Sequence, residues 1–298
     1  MKKFDKYKIC TYSFNMNKFS LSIVAPALML VSGCVPNSKV SSNSQQVKVV
    51  SRDINVPKSN TEGSIYGRLF IKNDGKKHPL IITSHGYNGI GNDFADDCAF
   101  YAKNDFAAFT YDFSGGSTRS QSTGKSTEMT LLTEKKDLLD VIDFVSTLDG
   151  VDSDNIFLMG GSQGGMVTAL VAEELGEKIK AISLYYPAFC IPDDWRKTYP
   201  EGAEIPEQFN FWGLTLGKDF VEVARSIDVE KATGKYKNPV LIVHGTDDQI
   251  VNISYAEAAQ KRYPNARLEI LQGEGHGFKS EEAAKARKLV LEHMQSQL

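Results

Sequence analysis

The sequence predicts an α/β protein built on a mostly parallel, doubly wound sheet, and three observations predict it. Short apolar runs alternate with helix-compatible segments from residue 65 onward, the pattern of consecutive βαβ units. One such run, Asn155 to Met159, ends in Gly160-Gly161-Ser162-Gln163-Gly164 and leads into a helix-compatible stretch, so strand, sharp turn and helix follow in that order. Finally, one long amphipathic segment carries Leu131, Leu132, Leu138, Leu139, Ile142 and Val145 near helical spacing.

Each element follows from its own pattern. Residues 65–71 alternate as a strand, and 79–83 form a continuous apolar run of the kind buried on both faces of a parallel sheet. A helix is expected over 93–103, a strand over 106–112 and the amphipathic helix over 128–148. Strands are expected over 155–159, 179–185, 239–244 and 266–271, and His293 falls in a last helix, on its solvated face. Residues 187–236 break the rhythm between two sheet strands and are too long for a plain connection. This insert holds Phe189, Trp195, Tyr199, Phe209, Phe211, Trp212, Phe220 and Tyr236, and is read as a small lid. Trp195, Phe211 and Trp212 are its candidate substrate contacts. Packing of the lid onto the sheet is the competing reading for each of them.

The turn at Ser162 holds out a hydroxyl that is a weak nucleophile without a base in hydrogen-bond reach. Histidine can take and return a proton near neutral pH, and a carboxylate fixes its tautomer. The run Pro239 to Gly245 opens onto Thr246-Asp247-Asp248, placing a carboxylate at the carboxyl end of a strand, where open α/β sheets hold their sites. Either aspartate satisfies that position. His276 lies between glycines in a later loop, which packing explains poorly. Of the other histidines, His78 precedes a strand as a surface residue, His244 ends one and is bonded locally, and His85 sits in the loop Ser84 to Gly89. That loop follows a buried strand and supplies the Tyr87 amide as one oxyanion donor, with the Gln163 amide after the nucleophile as the other.

Together the segments His85-Gly86-Tyr87, Tyr111 to Gly115, Gly160 to Gly165, His244-Gly245-Thr246-Asp247-Asp248 and Gly275-His276-Gly277-Phe278 resemble bacterial α/β-hydrolase-fold serine esterases. The likeness is to cinnamoyl (feruloyl) esterases and related serine-peptidase-like hydrolases, and it runs from about residue 65 to the C-terminus. It implies the α/β-hydrolase fold with a lid insertion. It also implies Ser162 as nucleophile, His276 as base and Asp248, rather than Asp247, as acid, because the acid of such proteins stands four residues after the His-Gly strand end. Gly161 stands where these esterases often carry histidine, and Phe113-Ser114-Gly115-Gly116 where relatives carry a Gly-His-Gly turn. The expected activity is hydrolysis of a cinnamoyl-type or short acyl ester. A serine peptidase or amidase of the same fold, with the lid acids Asp193, Asp194, Glu201 and Glu204 as grips for a terminus, is the alternative. A non-catalytic surface-binding lipoprotein is the third reading.

Composition narrows the partners. A net charge of −3 over 298 residues, without a basic stripe, argues against nucleic acid. No metal-ligand spacing or phosphate loop occurs in the sequence, so no cofactor and no metal is expected. Oligomeric state is not legible. The run Leu21 to Val31 has the length of a signal h-region, and Val31-Ser32-Gly33-Cys34 has the form of a bacterial lipobox. Residues 1–33 are therefore expected to be a signal peptide, with Met16 as an alternative start that places Lys18 in the n-region. Cys34 would be lipidated, tying residues 34–48 as a flexible tether to a membrane of the bacterial envelope. The folded domain is expected over 49–298. Cys98 and Cys190 are open to two readings, a disulfide or two buried thiols.

Overall fold

In the computed structural model, residues 48–298 are described. The expected leader, Cys34 and nearly all of the tether lie outside the described residues. The chain runs β1 (Val49–Pro57), β2 (Ser64–Lys72), β3 (His78–Ser84), α1 (Ala95–Lys103), β4 (Ala107–Tyr111), α2 (Leu131–Val145), β5 (Val151–Gly161), α3 (Gln163–Leu175) and β6 (Ile179–Tyr185). The insert follows as α4 (Ile191–Thr198), a hairpin of β7 (Gln208–Phe211) and β8 (Leu214–Gly217), α5 (Lys218–Ser226) and α6 (Val229–Ala232). The chain closes with β9 (Val240–Gly245), α7 (Ser254–Arg262), β10 (Ala266–Leu271) and α8 (Ser280–Gln295).

Eight strands form one sheet in the order β1-β2-β4-β3-β5-β6-β9-β10, with antiparallel pairs at β1/β2 and β2/β4 and parallel pairing elsewhere. This is the α/β-hydrolase fold. β4 is buried along its whole length and β6 at every residue but Lys180, because helices cover both faces, which is why both read as mainly apolar runs rather than as alternating strands. One face packs under α2, α3 and the lid, with Leu138, Val141, Val167 and Phe220 in the same cluster. The other packs under α1 and α8 through Tyr101, Phe157, Val290 and Met294.

Two details differ from expectation at α2 and β1. The helix expected from 128 begins at Leu131, because Thr130 is extended and its hydroxyl accepts the Thr133 amide as an N-cap at 3.1 Å. β1 was not expected. It is a mostly exposed edge strand whose apolar alternation is confined to Ile54 and Val56, and it pairs with β2 from Val49↔Lys72 to Pro57↔Ser64.

Topology positions the site. From β3 the chain goes to β4 on one side, then crosses back so that β5 lies on the other. The carboxyl ends of β3 and β5 flank this reversal, the place where open α/β sheets leave a crevice. The insert joins neighbouring parallel strands β6 and β9, so it leaves the sheet at that same end, where its hairpin meets the loop after β3.

Candidate active site

Ser162 sits at the apex between β5 and α3 with φ 53° and ψ −121°, a backbone conformation that L-residues rarely adopt. The turn is locked on both sides. The Ser162 amide donates to the Tyr185 carbonyl at 2.9 Å, and its carbonyl accepts from the amides of Gly165 at 3.0 Å and Ala188 at 3.0 Å. Two glycines are sterically required. A Cβ at Gly160 would lie 2.3 Å from the Gly164 carbonyl oxygen, and one at Gly164 would lie 2.3 Å from the carbonyl oxygens of Ser84 and His85. Gly161 is not so constrained, since the nearest atom to its Cβ would be a Phe94 ring carbon at 3.2 Å.

His276 and Asp248 arrive from β10 and β9. His276 Nδ1 donates to Asp248 Oδ2 at 2.8 Å, which leaves Nε2 to accept from Ser162 Oγ at 2.8 Å. Asp248 Oδ1 accepts the amides of Ile250 and Val251 at 2.8 and 2.9 Å. Its Oδ2 also faces His244 Nε2 at 3.2 Å, which in turn lies 2.9 Å from the Val251 carbonyl. Burial alone would raise this carboxyl, but the hydrogen bonds from His244, His276 and the Val251 amide outweigh it and hold the group well below the usual carboxylate range. Asp247 is exposed and accepts from the Thr246 hydroxyl, so of the two aspartates it is Asp248 that meets His276. Tyr186, which sequence reasoning passed over, packs its ring 4.6 Å from that of His276. Its place directly after β6, at the carboxyl end of a central strand, was the available signal.

The loop after β3 is held from beneath. His85 Nδ1 donates to the Gly86 carbonyl at 2.8 Å, and Nε2 accepts the Phe113 amide at 3.0 Å. Burial lowers its pKa, so it stays a neutral bracket. A Cβ at Gly86 would come within 3.1 Å of Ser162 Cβ, which shows how close this loop runs to the serine. Among the described residues, neither the Tyr87 nor the Gln163 amide is engaged by a protein acceptor. Such a pair beside a hydroxyl can accept a developing oxyanion. The Gln163 side chain points away from the crevice, donating to both Glu134 oxygens at 2.9 and 2.8 Å.

The lid meets the same loop. Tyr87 Oη donates to the Phe211 carbonyl at 2.7 Å, and Asn88 Nδ2 to the Trp212 carbonyl at 3.3 Å. Phe211 and Trp212 stack with centroids 4.8 Å apart, and the Tyr87 ring stands edge-on to Phe211 at 5.4 Å. Trp212 is 58% exposed. Trp195 is 6% exposed, packed among Tyr199, Phe209, Phe211 and Phe220 inside the lid. The structure therefore brings two of the three residues, Phe211 and Trp212, against the Tyr87 loop and uses Trp195 in lid packing.

Two histidine expectations are corrected. His78 is buried where β3 begins, with Nε2 2.9 Å from Asp74 and Nδ1 3.1 Å from the Asp105 carbonyl. His293 is buried on α8, and burial pushes its pKa down to about 4. Asp74, His78 and Asp105 bring ligand-type atoms within 4.8 Å of one another. They gather at the amino end of β3, the opposite end from Ser162. Both His78 nitrogens are engaged and Asp105 pairs with Lys72 at 2.6 Å, so the group is a structural network.

The prolyl oligopeptidase family matches residues 92–297, more than half of the chain. The chain belongs to that family. It is 29% identical over 224 residues to alpha/beta hydrolase domain-containing protein 17C of Xenopus tropicalis, a match covering 72% of this chain and 61% of that protein. The Xenopus laevis counterpart is 30% identical, with 72% and 60% covered. The chain thus spans about three fifths of these relatives. Among solved structures, Est1E from Butyrivibrio proteoclasticus with ferulic acid bound is 29% identical at a TM-score of 0.74, covering 82% of this chain and 98% of that one. DcsB, in complex with a substrate analogue, shares the fold at a TM-score of 0.69 and 18% identity. The chain is an α/β hydrolase of the serine-hydrolase type.

Proposed function

We propose that this hydrolase cleaves carboxylic esters through an acyl-enzyme on Ser162. The serine Oγ attacks the carbonyl carbon while its proton passes to His276 Nε2. Asp248 holds the imidazole and stabilises its charged form, and the Tyr87 and Gln163 amides receive the oxyanion. Collapse expels the alcohol, which takes the proton from His276. Water then repeats the sequence and frees the acid. The observation that carries this reading is the continuous hydrogen-bonded chain from Ser162 through His276 to Asp248, at 2.8 Å for each link.

The preferred acyl group is an aryl, cinnamoyl-type chain, with short acyl groups also accepted. The stacked Phe211 and Trp212 beside the Tyr87 loop support it, as does the likeness to an esterase with ferulic acid bound. The family match favours a second reading, cleavage of an amide in a short peptide. Hydrolysis of p-nitrophenyl acetate, methyl ferulate and a panel of peptide p-nitroanilides separates them. Ester turnover that disappears in Ser162→Ala is expected. Amide turnover without ester turnover would replace the ester reading.

The lipobox supports anchoring to the bacterial envelope. Cys34→Ser is expected to move the full-length protein from the membrane to the soluble fraction; retention in the membrane would refute lipidation.

A further inference from the structure

Glu134, in the first turn of α2, has no place in the steps above, yet it is among the most buried charged-type residues of the domain. Both its oxygens are occupied by one donor, Nε2 of Gln163, at 2.9 and 2.8 Å. Gln163 is itself buried and stands at the first position of α3, directly after the strained Ser162. Its side chain therefore crosses from α3 to α2, while its backbone amide, directly after Ser162, is engaged by no acceptor among the described residues. The next acid on the same helix face, Asp137, is differently served: it accepts from the Ser114 amide and hydroxyl at 2.7 and 3.1 Å, with Lys58 at 3.7 Å. Among the described residues, no lysine or arginine pairs with Glu134.

We infer that Glu134 is the positioning residue of the oxyanion hole, holding Gln163 so that its amide keeps its aim at the reacting carbonyl, and that a negative charge formed on Glu134 opposes the reaction. The inference rests on the serine-hydrolase reading of Ser162. A side chain clamped at its far end loses rotamer freedom, and a donor fixed in advance costs no reorganisation when the oxyanion forms. Burial pushes the Glu134 carboxyl up to about 8, against the lowering effect of the Gln163 hydrogen bond and with Asp137 adding to the rise. At neutral pH the group is then largely uncharged. Above about pH 8 it would carry a charge one residue away from the developing oxyanion, in a poorly screened interior. The other groups near it are Asp137 on its own helix and the phenols of Tyr87 and Tyr111, which burial holds protonated across this range.

A fluorophosphonate probe tests this without assuming an ester or an amide substrate. Ser162 Oγ bonds to phosphorus, fluoride leaves, the serine proton passes to His276, and the phosphoryl oxygen enters the oxyanion hole. Wild-type labelling that fails would refute the serine-hydrolase reading itself. With wild type labelled, Glu134→Ala is expected to slow labelling at pH 7 by about tenfold or more, and to lower kcat rather than raise KM. Glu134→Gln, which keeps an acceptor and cannot ionise, is expected to recover most of that loss and to abolish a wild-type decline above about pH 8. Should Glu134→Ala not fold, Gln163→Ala removes the other half of the clamp and carries the same expectation. An unchanged labelling rate, a Glu134→Gln as slow as Glu134→Ala, or an alkaline decline that persists in Glu134→Gln would each overturn the inference. Stability supplies an independent reading. The folded chain retains a proton that the unfolded chain releases above 4.5, so stability falls as pH rises from there to about 8, and Glu134→Gln should remove that part of the fall.

Discussion

At the residue scale, function turns on how single side chains are held. Asp247 and Asp248 are neighbours of one chemistry, and their surroundings separate them. Asp248 accepts from two amides and two imidazoles, whereas Asp247 stands exposed beside Thr246. Asp248→Asn is therefore expected to lower kcat by about 10⁴, because an amide can no longer hold the productive tautomer of His276. Asp247→Asn should stay within about threefold of wild type. Equal losses in steady-state assays would sink the assignment of the acid. The strained backbone of Ser162 is held in the same way, by amides from Gly165 and Ala188 and by a carbonyl from Tyr185. Serine in that conformation costs roughly 1–3 kcal/mol, which the surrounding hydrogen bonds offset.

Among the elements, the lid hairpin shows a conflict between local preference and placement. β7 and β8 pair Phe211 with Leu214, leaving Trp212 and Gly213 as a two-residue turn with φ 44° and 82°. Such turns favour Asn-Gly, and a bulky ring at the first position is an outlier there. That ring is exposed and contributes little to the lid core, so packing does not explain the strain, whereas the proposed contact with an aryl substrate would. Trp212→Gly is expected to leave Tm within a few degrees, since relief of strain offsets the lost stacking on Phe211. The same change should lower kcat/KM for methyl ferulate roughly tenfold relative to p-nitrophenyl acetate. A Tm drop above about 5 °C with an unchanged substrate ratio would make Trp212 a packing residue.

Across the whole molecule, one sheet gathers residues that the sequence spreads from 85 to 276. Parallel strands carry all their carboxyl ends to one edge, so the loops after β3, β5, β9 and β10 meet without further provision. Cys98 and Cys190 fall in different apolar clusters and remain free thiols, which answers the disulfide question from packing alone. Much of this was legible beforehand, because it depends on local causes. Periodicity marks the strands between 65 and 271, glycine spacing marks the turn at Ser162, and chain order marks His276 and one of Asp247 and Asp248 as its partners, the family resemblance favouring Asp248. What tertiary structure alone decided depends on burial and on long-range pairing. It buried His78 and His293, drew β1 onto the sheet edge, and separated Trp212, exposed at the hairpin turn, from Trp195 inside the lid. It also set Glu134 against Gln163 across 29 positions of sequence. Periodicity records which face of an element is apolar, but not which neighbour that face meets or which polar group is enclosed with it. Those are settled only when the layers pack.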